Sequence, residues 1–134
     1  MSERPHEMFN PETLQPPKGY AHALRAAGGT LVFLGGQTGH DAAGGISTDL
    51  VAQFDRACWN VVEALHAAGA EPEHVASMQI YVVDVHEYRS RLKEIGEAYR
   101  AHFGKHYPAM ALLGTTQLFD PRARVELVGV AVIP

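Results

Sequence analysis

One cysteine and one tryptophan are all that 134 residues contain of those two types, and no apolar run approaches the ~20 residues needed to span a bilayer. Cys58 has no second cysteine to pair with, and the N-terminus shows no basic stretch leading into an apolar one. Both features point to an intracellular, cytoplasmic protein. Positive charge is also scarce. Eleven lysines and arginines stand against 15 acidic residues, and a net charge of −4 supplies no field to attract nucleic acid or an anionic membrane. The length suits one domain, so any chemistry must arise on one small core or between copies of it.

What is present is ordered by punctuation. Residues 1–18 are rich in proline and polar side chains without an apolar period, so they are expected to form an irregular arm, with Met8, Phe9 and Leu14 available for packing. Residues 19–134 form the single domain. Two strands are expected at Tyr20–Ala26 and Thr30–Gln37, joined as a hairpin through Gly28 and Gly29. After the loop GHDAAGG, Ser47 or Thr48 with Asp49 supplies cap chemistry for a helix whose stripe is Leu50, Phe54, Ala57, Val61, Leu65 and Ala68, with Gly69 as its stop. The stretch SMQIYVVD is apolar on both faces and reads as a central strand. Tyr88, Leu92, Ile95, Tyr99 and Phe103 mark a second helix ending at Gly104. Two strands follow, AMALLGTTQ and RVELVGVAVI, around the turn FDPRA. The order β-β-α-β-α-β-β predicts an α+β fold, a mixed sheet with two helices on one face. Because the last strand carries valines on both sides, the open sheet face is expected to be covered by self-association.

Several residue types that invite chemical readings are better read as structural. His102 and His106 are four apart, but Gly104 lies between them and no cysteine or acidic cluster stands beside them, so no metal site is expected. Cys58 lies on the buried stripe of the first helix and reads as core. The glycines of LGGQTG do not open a helix after a strand in the spacing of a phosphate loop.

Six blocks, taken in order and spacing, carry a resemblance: GYAHAL, LVFLGGQTGHD, LHAAGAEPEHV, IYVVDVHEY, FGKHYPA and RVELVGVAV. From Tyr20 to the C-terminus the chain resembles the Rid family, also called YjgF-like and including RutC-related proteins. The resemblance implies a chorismate-mutase-like fold in a homotrimer, helices outward and sheets packed about the threefold axis, with three pockets at the subunit boundaries. Better-known members hydrolyse reactive enamines and imines such as 2-aminoacrylate to ketoacids and ammonia, without a cofactor.

In those members an arginine directly after the "PA" of the fourth strand pairs with the substrate carboxylate, and here that position is Met110. Family members also tend to carry serine at the position of Gly35 and asparagine near Gly96. The second helix region is longer here by about one turn, on the order of four residues. The matching positions that remain are Tyr20, the pair Gly36 and Gln37, and Glu126, which in the family holds or activates a water. Glu126 is also the only charged residue between Val125 and Ile133, where an unbonded carboxylate is costly; the structural alternative is an ion pair with Arg124 or with a neighbouring subunit. Tyr20 is equally consistent with a packed aromatic. His22, two residues on, is a candidate acid or base or a hydrogen-bonded surface residue.

The expected catalytic set is therefore Glu126, Tyr20 and His22, with Gly36, Gln37, Tyr107, Ala109 and Met110 as binding residues, no metal and no cofactor. A missing charge-assisted hydrogen bond forfeits roughly 1.5–3 kcal/mol, one to two decades in affinity. The resemblance thus implies a divergent imine or enamine hydrolase with weak or no activity on 2-aminoacrylate-type imino acids. A trimeric small-molecule binder without turnover is the alternative, and RNA cleavage or inhibition of translation ranks below both.

Overall fold

The computed structural model describes residues 5–134. Its strands are β1 (Glu7–Phe9), β2 (Ala23–Arg25), β3 (Thr30–Phe33), β4 (Val75–Val82), β5 (Ala109–Gly114) and β6 (Val125–Ile133); its α-helices are α1 (Leu50–Ala67), α2 (Val85–Ser90) and α3 (Leu92–Phe103). The main sheet has the order β3-β6-β4-β5, with β6 antiparallel to both neighbours and β4 parallel to β5. Both long helices cover one of its faces, as the apolar pattern predicts.

Each long helix is bounded by residues suited to its ends. Asp49 caps α1 by accepting from the Ala52 N–H, and Gly69 continues the chain at φ 79°, a conformation that only glycine enters at little cost. Leu50, Phe54, Val61 and Leu65 from α1 meet Met78, Ile80 and Val82 of β4 and Val125 and Leu127 of β6 in the core, and each burial stabilises by about 1.5–3 kcal/mol. Ala68, expected on the same stripe, is exposed because the helix is already ending there. One buried polar side chain is fully satisfied. The Gln53 amide donates to the carbonyls of Ser47 and Arg122 and accepts from the Arg124 N–H, so α1 is tied to the loop before it and to the turn before β6.

Three expectations are corrected. The β2–β3 hairpin does not form: β2 pairs with β1, so the segment expected to be irregular contributes a strand, while β3 pairs with β6. Arg25 holds that ribbon together by bonding Glu7 at 2.5 Å and lying 5.0 Å over the Phe9 ring. Gly29 has a different role from a hairpin turn. A Cβ there would lie 1.7 Å from the Ile133 carbonyl oxygen, so glycine lets the chain pass the end of β6. His6, buried on the ribbon side, accepts at Nδ1 from the Ala27 N–H and donates from Nε2 to the His74 carbonyl, which fixes the ribbon against the end of the sheet. Residues 1–4 of the expected arm lie outside the described residues.

The second helix is interrupted at Arg91, whose guanidinium bonds Glu94 and Asp49 and ties the corner to the start of α1. Leu92 consequently leaves the core stripe and is 55% exposed. The sheet face away from the helices stays open, with Leu31 57%, Phe33 73% and Leu113 41% exposed.

Candidate functional site

Strand register decides where the candidate residues point. Met110 stands opposite Met78, a core residue, so it faces the helices; Glu126 stands opposite Tyr81, on the open face. The candidates accordingly fall into two groups on opposite sides of the sheet.

On the helix side, a cavity of about 520 Å³ opens between α3 and β5 and is bordered by Lys18, Gly19 and Tyr20. Tyr20, Tyr107 and Met110 line it, together with Ile80, Tyr88, Ile95 and Leu112. Its aromatic wall is a stack: the Tyr99 ring lies 4.8 Å from Phe103 and 5.3 Å from Tyr107, at 23° and 15°. Tyr99 donates its hydroxyl to the His106 carbonyl at 2.5 Å and lies 3.8 Å from the Met110 sulfur. Burial pushes its phenol pKa up, so it stays a donor. Met110 is therefore a wall of a real cavity as well as a packed side chain. Ala109 is enclosed between Ser77 of β4 and Ala21, whose N–H bonds the Pro108 carbonyl. His22 stands edge-on to Tyr20 at 5.2 Å between ring centroids, but its Nε2 donates to the Gln15 carbonyl at 2.6 Å. That nitrogen is held by the arm, which leaves Nδ1 for any proton traffic.

On the open side, Gly36 and Glu126 are in contact. A Cβ at Gly36 would fall 2.2 Å from Oε2 of Glu126, so the glycine makes room for the carboxylate. Gln37 exchanges backbone hydrogen bonds with Leu127, next to Glu126 on β6. The Arg124 ion pair considered from sequence does not form, because Arg124 bonds Glu87 instead.

The remaining chemical side chains have structural partners. His102 pairs with Asp55 at 2.9 Å, and His106 donates to the Val75 carbonyl at 2.8 Å. Cys58 is fully buried, and burial raises its thiol pKa. Thr38, His40 and Asp120 form a chain of 2.5 and 2.8 Å hydrogen bonds. The side chain and backbone of Arg122, together with His40, hold the Asp120 carboxyl well below the usual carboxylate range. Asn60 donates to the Thr38 and His40 carbonyls, which makes this chain a loop fastening.

Sequence reasoning missed Lys18, Tyr88 and Arg100, all on the cavity lining. The signal for Arg100 was its position four residues after Gly96, which places its guanidinium over that glycine.

With this fold and this cavity, the chain can be set beside known proteins. The family model for Endoribonuclease L-PSP matches residues 11–133. The chain belongs to this family, the Rid or YjgF family. Protein DfrA of Myxococcus xanthus is 31% identical over 130 residues, 95% of this chain and 92% of that protein. Among solved structures, the Rid-family protein YyfB of unknown function from Yersinia pestis is similar at 28% identity and a TM-score of 0.85, covering 96% of this chain and 99% of that one. A YjgF-family member from Mycobacterium tuberculosis is 34% identical with a TM-score of 0.65, covering 86% and 87%. The α+β, chorismate-mutase-like Rid fold is thereby shown. Within it, no helix among the described residues is long and apolar enough to cross a membrane.

Proposed function

We propose that this Rid-family chain hydrolyses small reactive imines or enamines with apolar bodies, at a pocket completed between subunits of a homotrimer. The observation that carries the reading is the cavity beneath α3, whose wall around Met110 is apolar and aromatic; the resemblance puts the family's carboxylate-binding arginine at that residue. The open face with Leu31, Phe33 and Leu113 is the surface that other copies would cover, and Glu126 and Gly36 lie on that same face. In this proposal Glu126 of the partner subunit, brought to the cavity by assembly, takes a proton from water as its oxygen bonds the imine carbon, and Tyr20, with His22 beside it, supplies the nitrogen's proton. The carbinolamine then collapses: its C–N bond breaks, ammonia leaves and a carbonyl remains. No cofactor is needed. Without an arginine on the strand, activity on 2-aminoacrylate is expected to be weak or absent.

A second reading, a trimeric binder without turnover, is favoured by one observation: within a single chain the cavity lining includes no carboxylate. RNA cleavage is not adopted, since a net charge of −4 repels a polyanion. The test generates imines in situ and measures ammonia release. Hydrolysis of apolar imines that is lost in Glu126→Gln supports the enzyme; ligand-dependent melting without product supports the binder. A rate on 2-aminoacrylate equal to that of an arginine-bearing relative would overturn the reading.

A further inference from the structure

The cavity lining has an unbalanced charge. In a protein with a net charge of −4, it includes two cations, Lys18 and Arg100, and no aspartate or glutamate. Arg100 has no ion-pair or side-chain hydrogen-bond partner among the described residues, although other arginines, such as Arg25, Arg91, Arg122 and Arg124, each bond a carboxylate. Its guanidinium is drawn over Gly96, where Nη1 lies 3.1 Å from the position a Cβ would take, so a side chain at residue 96 would crowd it. The hydroxyls of Tyr20, Tyr88 and Tyr107 likewise have no hydrogen-bond partner among the described residues, and all three residues line the same space. Unused donors of both kinds therefore border a cavity whose other walls are aliphatic and aromatic.

We infer that Arg100, on α3, anchors the carboxylate of an organic monoanion with an aromatic or branched apolar body, a specificity-determining role moved from strand to helix. The guanidinium presents paired N–H groups that match a planar carboxylate. Lys18 adds a second positive charge at the border. The apolar body packs against Met110, Leu112 and the Tyr107 ring, and thioether flexibility lets Met110 fit it. At about 520 Å³ the cavity lies within the roughly 300–1,000 Å³ range of sites for drug-sized ligands, which makes a three-carbon acid a poor fit. The inference rests on the reading of this cavity as the ligand site, and it names the ligand class that the cavity selects.

Calorimetric titration of the full chain with phenylacetate and its neutral isostere phenylacetamide tests it. The acid is expected to bind roughly ten- to a hundredfold more tightly than the amide, the range of a charge-assisted hydrogen bond. Arg100→Gln should reduce the acid to the amide's affinity and leave the amide unchanged; Arg100 is exposed, so the variant keeps its fold. Equal binding of acid and amide, unchanged discrimination in Arg100→Gln, or binding of neither probe overturns the inference. Charge discrimination without imine hydrolysis would remove the catalytic reading alone. Conversely, hydrolysis of imino acids with an unchanged KM in Arg100→Gln would remove the inference and keep the enzyme.

Discussion

Replacing Tyr99 with phenylalanine removes one oxygen and keeps the ring stack that walls the cavity. That oxygen donates to the His106 carbonyl at 2.5 Å, from a residue only 5% exposed. A buried acceptor left without its donor costs about 1–3 kcal/mol. A chain of 134 residues unfolds with an entropy on the order of 0.28 kcal/mol/K, at about 2.1 cal/mol/K per residue. Dividing the cost by that entropy gives a melting point lowered by about 4–11 °C for Tyr99→Phe. Differential scanning calorimetry at neutral pH reads it directly. Tyr99→Leu, which also discards the contacts to Phe103 and Tyr107, should fall further. A Tyr99→Phe melting point within about 1 °C of the parent would refute the reasoning, because the carbonyl would then be no worse off without its donor.

Two other consequences are accessible to simple measurements. Phe33→Glu should leave the fold of the single chain within about 0.5 kcal/mol, since Phe33 is 73% exposed, yet should convert the proposed trimer to monomers by light scattering. An unchanged mass above that of the monomer would place the assembly face elsewhere. Asp120 is held below its ordinary value of 3.8, chiefly by the Arg122 side chain. A depressed folded pKa contributes stability that is present above the unfolded value and lost as pH falls through the folded one. Melting curves of the parent and Asp120→Asn should therefore differ near neutral pH and converge in strong acid; a difference independent of pH would show that the charge of Asp120 is not what stabilises.

Much of the fold was legible because local chemistry and tertiary structure agree. The Asp49 cap, the spacing of Leu50, Phe54, Val61 and Leu65, and the stop at Gly69 specify α1 without reference to anything distant. The run SMQIYVVD, apolar on both faces, likewise marked β4 as a central strand, and it lies between β6 and β5. The β1–β2 ribbon was illegible, since strands of three residues carry too short a pattern, and its glycines at 28 and 29 look like a turn until Ile133 is seen beside them. The break at Arg91 has no proline or glycine to announce it; side-chain bonds to Glu94 and Asp49 accompany it.

The candidate site divides along the same line. The composition of the chain determined a small acidic domain with an open valine-rich sheet face, and residue 110 alone determined that the strand supplies no cation to a ligand. Those properties belong to residue identity. Only the tertiary structure decided that Met110 and Glu126 lie on opposite sides of the sheet, because a side chain's face follows from the register of β5 on β4 and of β4 on β6. It also decided that Arg100 reaches the cavity that Met110 borders. That meeting depends on how α3 packs over β5, and packing is a property of distant residues brought together, which no local run of sequence contains.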